Sequence, residues 1–225
     1  MKKIYIVANW KSNKTVSEAT EWIKQLTAYS LPSTANLEIV VCPPFTLLYP
    51  LKAVVSSLSS VVHLGAQDVS PFPDGAYTGE VSARMLKDLG VTYVMIGHSE
   101  RRKYFNENEQ ILANKVRESL DIGLVPIFCV QGKTTPVPDG VSIILYEPLT
   151  AIGTGQAGSP QDANEVAKVL KEISGRETMI LYGGSVTPEN VVNFCQQEFI
   201  GGVAVGGVSL DPLEFIQIID NVSKI

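Results

Sequence analysis

Short runs of β-branched and other apolar residues alternate along the chain with longer stretches in which apolar positions recur every three or four residues. The short runs predict strands at 4–9, 37–42, 61–66, 91–96, 124–129, 142–146, 178–182 and 201–205. The longer stretches predict helices at 16–29, 45–57, 79–89, 106–121, 160–174, 188–197 and 212–222. Three helix starts repeat one device, a capping side chain followed by proline: Ser159-Pro160, Thr187-Pro188-Glu189 and Asp211-Pro212. A proline in the first turn loses nothing there, because its missing N–H would have had no partner inside the helix.

Strands each followed by a crossover imply a parallel sheet, and eight is the number that closes into a barrel. No Pro/Ser-rich linker divides the chain, so the pattern predicts an α/β fold with one domain over residues 1–225. One unit is irregular. Only Gln131 to Gly140 joins strands five and six, and it contains Pro136 and Pro138, so the helix there is expected to be missing or much reduced. Strand five (Leu124 to Cys129) and strand six (Ile143 to Leu145) are apolar on both faces, while the link offers Val137 as its one clear aliphatic. That wall is expected to show reduced cover and to use some subunit contact, which leaves a tetramer open beside a dimer. Gly201-Gly202 lies at the entry to strand eight and reads as a turn.

Composition narrows the picture. With 225 residues, 45% hydrophobic and 18% charged, the chain can bury roughly 70–75% of its unfolded surface. The net charge is −5, and no Lys/Arg cluster suggests a nucleic-acid or anionic-membrane surface. A bound phosphate would have to be held by local geometry. The basic-then-apolar start, Met1 to Val7, gives way to Asn9 and carries no cleavage site, so it does not read as a signal peptide. No apolar run reaches the ~18 residues needed to span a membrane. Cys42, Cys129 and Cys195 are odd in number and far apart, as expected for buried reduced thiols in a cytoplasmic protein, and no spacing suggests zinc.

In a parallel barrel the C-terminal strand ends meet at one mouth, and every unusual motif here falls at such an end. Taken singly each is weak. Glu147 before Pro148 could be a solvated strand-end acid, Asn9 and Lys11 a solvated pair, and Gly153 and Gly155 turn residues. His63, inside strand three, reads as structural, whereas His98 follows strand four and precedes a helical turn. A helix N-terminus disfavours imidazolium, so a neutral His98 could donate to a substrate carbonyl. Asn9 and Lys11, two apart, would point the same way on an extended chain. Glu147 beside a glycine-rich loop is a candidate general base. Ser185 after strand seven and Gly206-Gly207 after strand eight would bring backbone N–H groups to one anion site.

Together these residues resemble triosephosphate isomerases. The likeness runs in order through Ala8-Asn9-Trp10-Lys11, Gly65-Ala66-Gln67-Asp68, Gly75-Ala76-Tyr77-Thr78-Gly79-Glu80, Ile96-Gly97-His98-Ser99-Glu100-Arg101-Arg102, Tyr146-Glu147-Pro148, Ala151-Ile152-Gly153-Thr154-Gly155, Tyr182-Gly183-Gly184-Ser185-Val186 and Val205-Gly206-Gly207. The resemblance implies a TIM barrel that interconverts D-glyceraldehyde 3-phosphate and dihydroxyacetone phosphate through an enediolate. It implies Glu147 as base, His98 as neutral electrophile, Lys11 as charge stabiliser, Asn9 as orienting group and Glu100 as a carboxylate behind them. Gly153, Ser185, Gly206 and Gly207, with Asn9 and Lys11, would hold the phosphorylated substrate. It further implies no metal or cofactor and a cytoplasmic place in glycolysis and gluconeogenesis. The chain would be a homodimer in which Tyr77 and Thr78 of the loop after strand three enter a neighbouring subunit.

Three departures stand out. Thr150 replaces the family's usual Trp, Gln156-Ala157-Gly158 replaces Lys-Thr-Ala, and Gln131-Gly132 replaces Gly-Glu. A different sugar-phosphate barrel enzyme and a noncatalytic sugar-phosphate binder remain as alternatives. The joint presence of Asn9, Lys11, His98 and Glu147 argues against a decayed site.

Overall fold

A computed structural model describes residues 3–29, 36–58, 60–151 and 157–225. Eight parallel strands form a closed barrel in sequence order: β1 (Ile4–Asn9), β2 (Leu37–Cys42), β3 (Val62–Ala66), β4 (Val91–Ile96), β5 (Val125–Val130), β6 (Ile143–Tyr146), β7 (Met179–Tyr182) and β8 (Gly202–Val205). Around it lie α1 (Val16–Ala28), α2 (Phe45–Ser57), α3 (Ala83–Asp88), α4 (Ser99–Tyr104), α5 (Glu109–Asp121), α6 (Pro160–Ser174), α7 (Val191–Cys195) and α8 (Pro212–Ser223). Both α4 and α5 follow β4.

Alternation along each strand divides the core in two. Tyr5, Val7, Val40, Cys42, Met95, Ile127, Cys129, Leu145 and Leu181 fill the barrel, while Ile6, Ile39, Val94, Phe128, Ile144 and Val203 pack outward under the helices. The inward stripes are apolar until they reach the C-terminal ends, where Asn9 and Glu147 take over.

The caps explain where helices begin. Ser159 Oγ accepts from Asp162 N (3.3 Å) and Asp211 Oδ1 from Leu213 N (2.8 Å), each beside a first-turn proline. The third such start differs from expectation. Thr187 donates its N–H to Asn190 Oδ1 (2.9 Å), which makes a turn, and α7 begins only at Val191. Asn108, whose Oδ1 accepts from Ile111 N (3.0 Å), likewise delays α5 beyond the predicted 106. The apolar pattern predicts no full helix at α4, although the sequence places a helical turn just after His98. α4 is a six-residue helix, SERRKY, too polar and too short to show a periodicity.

Two further expectations need correction. Residues 131–142, between β5 and β6, form turns and bends, yet the wall is not bare. Pro126, Phe128, Val130 and Ile144 are all buried, and Val137 packs against the core. The Arg102 guanidinium lies 5.7 Å from the Phe128 ring centroid and covers it from α4. The chain's own residues thus cover this wall, which removes the basis for a second subunit contact there and for a tetramer.

Gly202 is not a turn. It pairs with Tyr5 in the ladder that closes β8 onto β1, with φ +149°. A Cβ there would sit 2.1 Å from Tyr5 O, and backbone cannot give way as a flexible side chain can. Gly202→Ala is therefore expected to destabilise the fold by at least about 3 kcal/mol, combining overpacking with a strained dihedral. Urea unfolding followed by circular dichroism would read this as a lower midpoint, and an unchanged midpoint would contradict the closure geometry.

Candidate active site

At the C-terminal mouth lies a cavity of about 280 Å³ whose lining includes Asn9, Lys11, His98, Glu147, Ser185, Gly206 and Gly207. The sequence motifs after β1, β4, β6, β7 and β8 therefore meet in one place.

β1 supplies Asn9, which is buried, with Nδ2 3.5 Å from Met95 Sδ and Oδ1 accepting from Lys11 N at 3.0 Å. The extended pair expected at 9 and 11 does not form. β1 stops at Asn9, and Lys11 has φ +50°, a left-handed conformation that costs a non-glycine residue on the order of 1–3 kcal/mol. Its ammonium pairs with Glu100 Oε1 at 2.5 Å, so Glu100 touches Lys11 directly. The Gln67 amide donates to Lys11 O (2.9 Å) and to Cys42 O (2.8 Å). In the sequence Gln67 stands within the Gly65-Ala66-Gln67-Asp68 likeness without a role of its own, and its place just past β3, on the mouth side, is the available signal.

His98 caps α4. Gly97 before it has φ +76° and sits against Arg102 and Leu112, so a side chain there would meet both strain and contact. Arg102 fixes this corner by donating to Gly97 O (2.8 Å) and Cys129 O (3.0 Å). His98 Nδ1 accepts from Glu100 N at 3.2 Å and so carries no proton. The ring's proton is then on Nε2, which lies 2.8 Å from Glu147 Oε1. The other Glu147 oxygen accepts from Ser99 N at 2.9 Å, and the residue is 3% exposed. Both oxygens of this buried acid are thus engaged by the turn that begins α4.

A buried ionic group braces that turn. Lys115 Nζ lies 2.5 Å from both Asp68 Oδ1 and Glu107 Oε1, and Arg101 reaches the same two acids at 2.8 and 2.7 Å. Burial pushes the Asp68 carboxyl above its ordinary range, against the pull of Lys115 and Arg101. Two cations balance the two acids, as burying such charges requires, while Glu107 Oε2 stays buried with no hydrogen-bond partner among the described residues. Nearby, burial raises the Cys42 thiol to about 12, and burial with the Glu147 charge pushes the Cys129 thiol far up, so both are inert.

The opposite side of the cavity is built from backbone. Ser185 has φ +51°, its Oγ donates to Ala151 O (2.6 Å), and its carbonyl accepts from Asn190 Nδ2 (3.1 Å). After Gly206 comes a 3₁₀ turn, Gly207–Leu210, whose first amides have no partner inside the turn. Trp22 Nε1 donates to Ser209 O (3.0 Å) and Lys14 Nζ to Leu210 O (2.8 Å), anchoring the turn from below. Lys11 Cε lies 3.6 Å from where a Gly206 Cβ would be, so a cation and an amide-rich turn adjoin. Such a corner suits an anion.

Gly153, with Gln156, lies outside the described residues. Tyr77 and Thr78 are exposed and outside the cavity lining, and the Tyr77 ring stacks on Phe72 at 4.3 Å. Among the described residues no group of three or more His, Cys, Asp or Glu could hold a metal ion, and no helix is long and apolar enough to cross a membrane.

Comparison with known proteins points to one family. A family model described as triosephosphate isomerase matches residues 4–141 and 139–222. The two matched pieces meet within the β5–β6 link. A triosephosphate isomerase of Dictyoglomus thermophilum is 40% identical, covering 97% of this chain and 99% of its own. One from Mesomycoplasma hyopneumoniae is 38% identical (98% and 100%), and one from Caldanaerobacter subterraneus subsp. tengcongensis 41% identical (98% and 100%). The Dictyoglomus alignment runs over 250 positions, more than this chain's 225 residues, so that relative carries residues absent here.

The hydrogen bonds around His98 make a spectroscopic prediction. Nitrogen-15 NMR at neutral pH should find the Nε2–H tautomer, with Nδ1 as the bare nitrogen. A predominant Nδ1–H signal would contradict the Glu100 N–H bond and the placement of the ring.

Proposed function

This chain belongs to the triosephosphate isomerase family and is an isomerase of triose phosphates, and we propose that it interconverts D-glyceraldehyde 3-phosphate and dihydroxyacetone phosphate through an enediolate with Glu147 as base and neutral His98 as electrophile. One observation carries the assignment of roles: the 2.8 Å contact between His98 Nε2 and Glu147 Oε1, in a cavity shared with Lys11.

Moving a carbonyl by one carbon requires removal of a weakly acidic C–H proton next to it. A carboxylate can take that proton only where the developing oxyanion is stabilised. His98 Nε2–H is a neutral donor for that oxygen and Lys11 a nearby positive charge. Asn9 orients the substrate, and Glu100 holds the Lys11 ammonium. Glu147 must first leave Ser99 N and turn into the cavity, which frees His98 Nε2–H for the substrate oxygen in the same motion. Gly206, Gly207, Ser185 and Gly153 hold the phosphate, with Lys11 as counter-charge. The reaction so read needs no metal or cofactor, and it suits a cytoplasmic enzyme of glycolysis and gluconeogenesis.

The reading includes a homodimer. The loop with Phe72, Tyr77 and Thr78 is exposed yet internally fastened, since Asp74 bonds Ser82 Oγ at 2.5 Å and pairs with Arg84. A preformed, aromatic, protruding loop suits insertion into a second copy, near that copy's Asn9, Lys11 and Glu100.

Two measurements test this. Glu147→Asp should lower kcat by roughly 10²–10⁴-fold with far less change in KM, because the carboxylate retracts by one methylene. A coupled assay in both directions would show it, and near-normal turnover in both Glu147→Asp and Glu147→Gln would exclude Glu147 as base. Light scattering at assay concentration should give the mass of two chains, and a fully active monomer would refute the insertion of the loop.

A further inference from the structure

Lys11 is held in a left-handed conformation that its own side chain does not favour, and three neighbours fix it there. Asn9 Oδ1 accepts its N–H (3.0 Å), Glu100 takes its ammonium (2.5 Å), and Gln67 Nε2 donates to its carbonyl (2.9 Å). Gln67, like Glu100, lies outside the cavity lining, but it alone of the three donates to the Lys11 carbonyl. Its second bond goes to Cys42 O (2.8 Å), the last carbonyl of β2, which also accepts from Trp10 N (3.2 Å). One amide NH₂ therefore ties the segment after β1 to the end of β2, from a position just after β3. Strained backbone persists only where surrounding contacts over-determine it.

We infer that Gln67 is a positioning residue for Lys11: its two donated hydrogen bonds hold the lysine backbone left-handed, and this sets where the ammonium stands over the anion site. The inference rests on the reading of Lys11 as a substrate-binding cation. Without Gln67, Lys11 O loses its donor and residue 11 relaxes toward the extended region. The ammonium then moves away from the Gly206 side, while Glu147 and His98 are left unchanged. A displacement of about 1 Å at such a group lowers activity by about 10²-fold.

The test is a double-mutant cycle in the coupled assay with Gln67→Met, Lys11→Met and both together, accompanied by Gln67→Glu. Methionine keeps the length and volume of glutamine but donates nothing. Gln67→Met should lower kcat/KM by about 10–100-fold, with KM raised. Gln67→Glu should lose at least as much, since a carboxylate would face two carbonyl oxygens. In the Lys11→Met background Gln67→Met should add less than about 2-fold, because the group it positions is gone. A merely structural role would lower activity equally in both backgrounds, and that result overturns the inference, as does a Gln67→Met enzyme within 2-fold of the parent. If Lys11→Met is itself fully active, the reading of Lys11 fails instead, so the two failures are distinguishable. Should Gln67→Met not melt cooperatively, Gln67→Asn carries the same cycle. It keeps an amide but is a methylene too short to reach both carbonyls.

Discussion

The seam between β1 and β8 is the constraint on which the mouth depends. Four pairs, from Tyr5↔Gly202 to Ala8↔Val205, close the barrel. Closure makes the first strand a neighbour of the last, so the segment after β1 stands beside the segment after β8. The first carries Lys11 and the second the Gly206-Gly207 turn. An open sheet in the same order would leave them at opposite edges. The anion corner is thus a product of topology, bought by one glycine that lets two backbones approach.

This matters because the chain has no basic field to offer a phosphate. Its net charge is −5, and the cavity lining holds Lys11 as its one cation among the described residues. Local geometry must do what a basic surface does elsewhere: a turn with uncommitted amides, a lysine fixed on three sides, and a backbone braced from beneath by Trp22 and Lys14. The same economy appears across the cavity. The turn starting α4 supplies the Ser99 amide to Glu147 and the Glu100 amide to His98 Nδ1. The ionic group of Asp68, Arg101, Glu107 and Lys115 holds that turn against α5. Groups so placed cost little reorganisation when charge develops.

Much of this was legible in the sequence, for reasons that differ by element. The strands were readable to within a residue because a parallel barrel buries both faces and gives continuous apolar runs. The motif residues were readable because a closed parallel barrel collects all C-terminal ends at one mouth. What escaped was the conformation at and around those ends. Lys11 leaves the extended state, which no apolar pattern records. Gly202 reads as a turn until its partner strand is known. Thr187 has the form of a cap, yet Asn190 captures its N–H and postpones the helix. Gln67 is a polar residue on a loop, and its two acceptors come from segments 56 and 25 residues away. Such contacts depend on tertiary neighbours, not on local order.

The β5–β6 link shows what a barrel wall physically requires. A crossover helix usually covers the outer face of the strands it joins, and residues 131–142 supply turns and bends instead. The outward residues are nonetheless buried, because cover can come from either side. Val137 reaches in from the link, and Arg102 lies over Phe128 while its N–H groups hold carbonyls of Gly97 and Cys129. A guanidinium can cover an aromatic ring and satisfy backbone at once, since its stem and face are apolar and its edge is polar. Arg102 thereby links the wall to the mouth: the side chain that shields β5 also fixes the carbonyl preceding His98. A change on this wall is harmless to the mouth only while that guanidinium keeps its two carbonyls, which makes Arg102, more than the length of the link, the point where economy on the wall would reach the chemistry.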